Sequence, residues 1–459
     1  MKPLSTPLWR VFALLTLLGL ALLANFGESA ERAFRTQEAL TPIDFPVFYI
    51  GGKVALQRAA TPLYYPPADR SKAYTLLSGY ADDATPWAQM ARANGFPHIS
   101  PFTNPPFSAL VMAPLAELPW QYAYIVWLLL IIALAAGATF LGLQLVPSAR
   151  GLETFAPIFI AVCFFFPFSS NLTLGQANVT ILFVWTLGVY FLSRRKSAAS
   201  GICFALGTVL KVSPAVVVPF LVLRRQWRWL AAYAVGVLVL TGFSVWVLGW
   251  QTHVIWLTKI FPAISSGLGN GDNRSLAGLI DVLCGPPYVD TLYATTQWPI
   301  PPRLVLFEKA CSLVIVVGFL GWCWRTRKDS QGAVNDLILL PLISLLVAPF
   351  SWQPHFVLAI LPLAYLWAKA REATFGELVA LYLSTLALGT DLPMYLAAYS
   401  PWAGPHLVML AIALWPAATC AILCVGMRMY ARESHAEQPR ESLAEAAMDK
   451  GIPADYRPR

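Results

Sequence analysis

Four short polar stretches interrupt an otherwise apolar chain of 459 residues: Asp44-Phe45-Pro46, Gly175-Gln176-Ala177-Asn178, Asn273-Arg274-Ser275 and Trp352-Gln353-Pro354-His355. Apolar side chains hold a protein in lipid but run no reaction. A carboxylate, an imidazole, a guanidinium and amides are the tools of group transfer. One takes a proton, and the others neutralise a departing anion or hold hydroxyl groups.

Each of these residues supports two readings. Asp44 lies in Ile43-Asp44-Phe45-Pro46-Val47-Phe48-Tyr49, where apolar neighbours desolvate a carboxylate and raise its pKa toward the range of a general base. The same position, just before Phe-Pro, suits a helix N-cap. Gln176 and Asn178 stand at the mouth of an apolar run and offer amides either to sugar hydroxyls or to neighbouring helices. Lys211 sits inside an apolar segment, where a lysine faces a cavity, meets a partner such as phosphate, or snorkels to the interface. Arg274 follows the glycine-rich stretch 267–271 and either clamps a phosphate with its planar fork or binds lipid headgroups. His355 either donates to a leaving phosphate or serves the structure. The histidines are dispersed, and no HExxH, paired DxD, Walker A loop or helix-opening GxGxxG is present. This pattern leads us to expect neither a bound metal nor a cofactor.

Helices in a bilayer must position these groups. Only 12% of the residues are charged, about half the roughly 25% of soluble proteins. Runs such as 122–145 and 229–248 match the about 20 apolar residues that cross roughly 30 Å of hydrocarbon. The composition specifies an all-α polytopic membrane protein. The net charge is +8, but Arg194-Arg195-Lys196, Arg224-Arg225 with Arg228, and Arg325 with Arg327-Lys328 flank apolar runs. That is the positive-inside signature of topology, and it argues against nucleic acid as a partner. The seven cysteines are scattered without a CxxC pair. Residues 9–26 read as an uncleaved first span, since Glu28 and Glu31 follow without a small-x-small cleavage site.

Apolar length and flanking charge place segment 27–106 outside, then 107–118, too short to cross. Spans follow at 122–146, 152–169, 177–193, 229–249, 304–324, 333–350, 355–369, 375–390 and 404–427, with a second external segment at 250–303. Segment 201–223 has basic clusters at both ends and Lys211-Val212-Ser213-Pro214 in its middle. A hairpin of two half-helices entering partway fits both facts, because proline removes a donor and disfavours helix in the residue before it. A single kinked span is the alternative. Residues 1–427 thus form one multi-span domain, and 428–459 is expected as a disordered cytoplasmic tail.

In chain order the sequence carries Asp-Phe-x-Val-Phe-Tyr-x-Gly-Gly (44–52), Pro-x-Tyr (62–64), Asn-Pro-Pro-Phe with Ala-Pro-Leu (104–107 and 113–115), Gly-Gln-x-Asn (175–178), Lys-x-x-Pro (211–214), Asn-x-Ser (273–275) and Trp-x-x-His (352–355). Together these resemble glycosyltransferase family 87, formerly the domain of unknown function 2029, over roughly 44–366. The resemblance implies a C-type glycosyltransferase fold of about 10–12 transmembrane helices in the inner (plasma) membrane, with its active site on the extracytoplasmic side. It implies transfer of a hexose, mannose in the α-1,2-mannosyltransferases of the family, from a polyprenyl-phosphate donor to a lipid or glycan acceptor. By the same resemblance Asp44 becomes the general base, and His355, Arg274 and Lys211 hold the departing phosphate. Gln176, Asn178, Asn273 and Tyr49 become substrate, phosphate or structural contacts. Asp82-Asp83 and Asp272 are external acids that compete for the base role. Two rival readings remain: a transporter or flippase of lipid-linked sugars, with polar residues spread across the bilayer depth, and a non-catalytic assembly subunit.

Overall fold

Hydrocarbon offers no water to satisfy a backbone, so apolar segments close their hydrogen bonds internally as helices. The computed structural model of the chain describes residues 17, 20, 44–58, 61–66, 81–265, 273–284, 301–327, 329, 331–390 and 404–449. Among them every regular element is helical. The expected first span at 9–26 apart from residues 17 and 20, parts of 27–106 and 250–303, and Asp272 lie outside the described residues.

The α-helices run α1 (Phe45–Leu56), α2 (Pro86–Ala93), α3 (Pro106–Ala116), α4 (Trp120–Gln144), α5 (Leu152–Cys163), α6 (Phe166–Leu174), α7 (Asn178–Ser193), α8 (Ser197–Leu210), α9 (Val217–Leu223), α10 (Trp227–Leu248), α11 (Trp250–Ile255), α12 (Phe261–Ile264), α13 (Leu276–Cys284), α14 (Pro302–Arg325), α15 (Gly332–Val347), α16 (Ile360–Ala368), α17 (Phe375–Thr390) and α18 (Gly404–Asp449). Four stretches are each long and apolar enough to cross a bilayer: α4, α10, α14 and, within α18, Ile412–Glu433. The pair α5 and α6, bent by 60°, passes the same test together and is either a broken fifth span or a re-entrant loop. The chain is therefore polytopic and all-α, with fewer span-length helices than hydropathy alone suggested. Prolines account for part of the difference. Pro167 fits only the first turn of a helix, so the expected span 152–169 restarts there as α6.

The outer helices α10 and α14 expose Val235, Leu238, Leu313 and Val314, as a lipid-facing surface does. In α15, by contrast, every residue from Gly332 through Leu346 is buried. The last helix passes 427 and stays helical to Asp449, inside the segment expected as a disordered tail. Arg432 there meets Glu377 at 2.6 Å, and Glu433 pairs with Lys369.

The broken segment around Lys211 returns on itself. Helices α8 and α10 start side by side, Trp229 Nε1 donating to Ser200 Oγ at 2.9 Å, and Ala205 packs against Gly236 further along. They run in the same direction, so residues 211–226 must travel back. Helix α7 runs opposite to α8: Gly188 packs on Phe204, and Asn178 meets Lys211. The hairpin thus carries Lys211 from the basic end, at Arg194 to Lys196, to the level where α7 begins. Over the 16 residues of α7 that is about 24 Å.

Candidate active site

A left-handed residue organises the site. Gly175 ends α6 at φ +70°, a conformation that suits glycine at a helix C-terminus. A Cβ at this position would lie 2.5 Å from Cβ of Phe45, so the start of α1 presses directly on the turn. Asp44 N–H donates to Leu174 O at 3.1 Å, and Trp127 Nε1 donates to Gly175 O at 2.9 Å. These bonds set Asp44 beside Gln176, whose Nε2 donates to Asp44 Oδ2 at 2.8 Å. Gly175→Ala should therefore destabilise the fold by about 1–3 kcal/mol through overpacking and backbone strain. Denaturation in detergent measures this, and an unshifted midpoint would show that the turn tolerates a side chain.

Asp44 occupies the N-cap position of α1, yet its carboxylate makes no capping bond and faces Gln176 instead. Helix α1 has 12 residues, too few to cross a bilayer, so Asp44 lies outside the spans. Burial lifts its carboxyl from 3.8 to about 6, partly offset by the Gln176 hydrogen bond and the charge of Lys211. Lys211 Nζ donates to Asn178 Oδ1 and lies within electrostatic reach of both Asp44 and His355.

Of these groups, Gln176, Asn178 and Lys211 line a pocket enclosing about 430 Å³, open solvent included; Asp44 and His355 are not among its lining residues, and Asp44 is tied to it through Gln176. Gln176, Asn178, Lys211 and Asn104 supply its polar wall, and Phe48 and Met112 begin its apolar one. His355 is the third residue of the turn Gln353–Ala359, which packs against α6 and α7. Trp352 N–H donates to its Nδ1 at 3.0 Å, so the proton of the neutral ring sits on Nε2. Asn171, buried in α6, holds this turn by donating to Pro354 O at 2.6 Å and Pro167 O at 2.7 Å. Sequence reasoning missed Asn171; its only signal was an amide within an apolar run.

The remaining candidates fall elsewhere. Asn273 is a clasp: Oδ1 accepts from Ser351 N at 3.0 Å and Ser275 N at 3.2 Å, and Nδ2 donates to Pro349 O at 3.0 Å. Arg274 N–H donates to Ser351 O at 2.7 Å, and its fully buried guanidinium lies 5.9 Å from the Trp415 ring centroid. Both residues support the segment leading to His355 and do not line the pocket. Tyr49 is buried against Phe45 and Phe96, its hydroxyl donating to Leu118 O at 2.8 Å. Of the competing acids, Asp83 is taken by an exposed ion pair with Arg92, and Asp82 accepts from Ala84 N at 2.9 Å in a surface turn. Among the described residues no three His, Cys, Asp or Glu side chains come together as a metal site.

Comparison with known proteins gives a consistent picture. The profile of glycosyltransferase family 87 matches residues 102–349, more than half the chain. The match includes Gln176, Asn178, Lys211, Asn273 and Arg274, and leaves Asp44, Tyr49 and His355 outside it. A polyprenol-phosphate-mannose-dependent α-(1-2)-phosphatidylinositol pentamannoside mannosyltransferase of Mycolicibacterium smegmatis is 27% identical over 263 residues, 56% of this chain and 58% of that protein. A polyprenol-phosphate-mannose-dependent α-(1-2)-phosphatidylinositol mannoside mannosyltransferase of Mycobacterium tuberculosis is 28% identical over 277 residues, 56% of this chain and 60% of that protein. One of the latter description from Mycolicibacterium smegmatis is 27% identical over 417 residues, 84% of this chain and 82% of that protein. The chain thus spans less than two thirds of the length of the first two relatives.

Proposed function

Because the chain belongs to glycosyltransferase family 87, we propose that it moves a hexose, mannose by analogy with its relatives, from a polyprenyl-phosphate donor to a lipid or glycan acceptor. The observation that carries this reading is Asp44: a buried carboxyl lifted to about 6 and held by Gln176, which itself lines a pocket with polar and apolar walls. In the proposed reaction an acceptor hydroxyl oxygen attacks the anomeric carbon. The bond from that carbon to the phosphate oxygen breaks, its electron pair stays on phosphate, and the hydroxyl proton passes to Asp44. Lys211 and the Nε2–H of His355 offset the charge growing on the leaving group. One displacement inverts the centre, so a β-linked donor yields an α-linkage, as the relatives' descriptions require.

The polar groups gather at one end of α7 rather than along its length, which supports an enzyme over a conduit with polar groups at every depth. That end is opposite Arg194 to Lys196. By the positive-inside rule the pocket then opens on the extracytoplasmic face of the inner (plasma) membrane.

The pH dependence tests the base. Only the ionised carboxylate accepts a proton, so kcat/KM for transfer from polyprenyl-phosphate mannose should be level above about pH 7 and fall about tenfold per unit below about pH 6. A profile flat between about pH 5 and about pH 7 would remove Asp44 from the mechanism.

A further inference from the structure

We propose that the carrier's phosphate seats on the N-terminus of α7, between Thr180, Asn178 and Lys211, with its hydrocarbon chain leaving the pocket past Val111. This rests on the glycosyltransferase reading above and adds a residue, Thr180, that neither motif nor charge pointed to.

Four observations converge. Helix α7 has 16 residues and no side-chain cap; Thr180 N–H is taken by Ala177 O at 3.1 Å, and the first turn presents the positive end of the helix dipole to whatever lies in front of it. Asn178 is 2% exposed, and while its Oδ1 accepts from Lys211, its Nδ2 has no hydrogen-bond partner. Thr180 Oγ1, one side chain further along the same wall, is buried and also unpartnered. The ammonium of Lys211 completes the group. A buried polar atom left unpaired costs about 1–3 kcal/mol, so two on one pocket wall point to an occupant that brings acceptors.

The sign of the charge narrows the occupant further. A neutral sugar hydroxyl gains little from a lysine and a helix N-terminus together, whereas a phosphate satisfies both and fills the orphaned donors. The wall beyond the seat is apolar, formed by Phe48, Met112, Ile181 and Leu210, and Val111 on the same lining is 42% exposed. The shape fits a phosphate ester with a hydrocarbon tail. Gln176 lines the same pocket and touches Asp44, so a sugar carried on that phosphate is directed toward the carboxylate.

The test uses the full chain in nanodiscs with three probes: farnesyl phosphate, farnesol and inorganic phosphate. Wild type should bind farnesyl phosphate. Thr180→Val, which keeps the shape and loses the hydroxyl, should weaken that binding by about tenfold or more while leaving farnesol unchanged, and Thr180→Ser should restore it. Equal binding of farnesyl phosphate by wild type and Thr180→Val overturns the seat. Competition by inorganic phosphate as strong as by farnesyl phosphate overturns the lipid part and leaves a free-anion site. Failure of wild type to bind farnesyl phosphate at all removes the donor reading together with the seat. Unchanged binding by Thr180→Val alongside lost turnover in Asp44→Asn removes the seat alone.

Discussion

Asp44→Asn is expected to lower the rate of sugar transfer by about 10²–10⁴-fold with donor binding intact, the range contributed by a positioned general base. The substitution is nearly isosteric, and the amide oxygen of Asn can still accept from Gln176 Nε2, so the crossing at Gly175 is preserved. Stability separates this from a folding defect. A carboxyl raised from 3.8 to about 6 is ionised against its burial above about pH 6, and that penalty vanishes below about pH 3.8. The neutral amide carries no such penalty, so Asp44→Asn should melt no lower than wild type at neutral pH. Transfer of labelled mannose and a melting curve on the same preparation decide the matter. Turnover near the wild-type rate would sink the base assignment.

Arg224→Ala is expected to destabilise the protein by about 3–5 kcal/mol, the cost of stranding a buried charge. Arg224 and Asp336 are ion-paired with side-chain exposures of 2% and 1%. The guanidinium also donates from Nη1 to Thr326 O and from Nη2 to Thr326 Oγ1, each at 2.9 Å, joining the ends of α9 and α14 to the start of α15. Asp336 Oδ1 makes no hydrogen bond, so losing Arg224 leaves a buried carboxylate without its cationic partner. Replacing both residues with leucine should recover much of the loss, because neither charge is then buried alone. Denaturant or thermal unfolding in detergent measures the three variants. A single variant as stable as wild type would show that the ion pair is structurally present but energetically idle.

Arg224 also shows where sequence reading stops. As one of a cluster beside an apolar run it was legible as a topology signal. Its partner Asp336 lies 112 residues away in a run read only as a span, and nothing local links the two. The same holds at the site. Asp44 and Gln176 are 132 residues apart and Asn171 and Pro354 are 183 apart, so their pairing depends on how helices pack. Arg274 and Asn273 had the right chemistry for a phosphate clamp, yet packing placed them behind the His355 segment.

What the sequence by itself determined was the solvent and the tools. Its hydropathy made it an all-α membrane protein, and Pro214 marked the break at Lys211, whereas the restart at Pro167 inside the expected span 152–169 emerged only in the structure. Its rare polar residues gave the list of groups from which a site had to be drawn. Only the tertiary structure decided which of them meet, and, between the expected hairpin and the kinked span, that the segment after Lys211 turns back to the basic end. The physical reason is that lipid is as apolar as the helices within it. Hydrophobicity therefore puts a helix in the bilayer without choosing its neighbours, and that choice falls to close packing and a few interhelical hydrogen bonds.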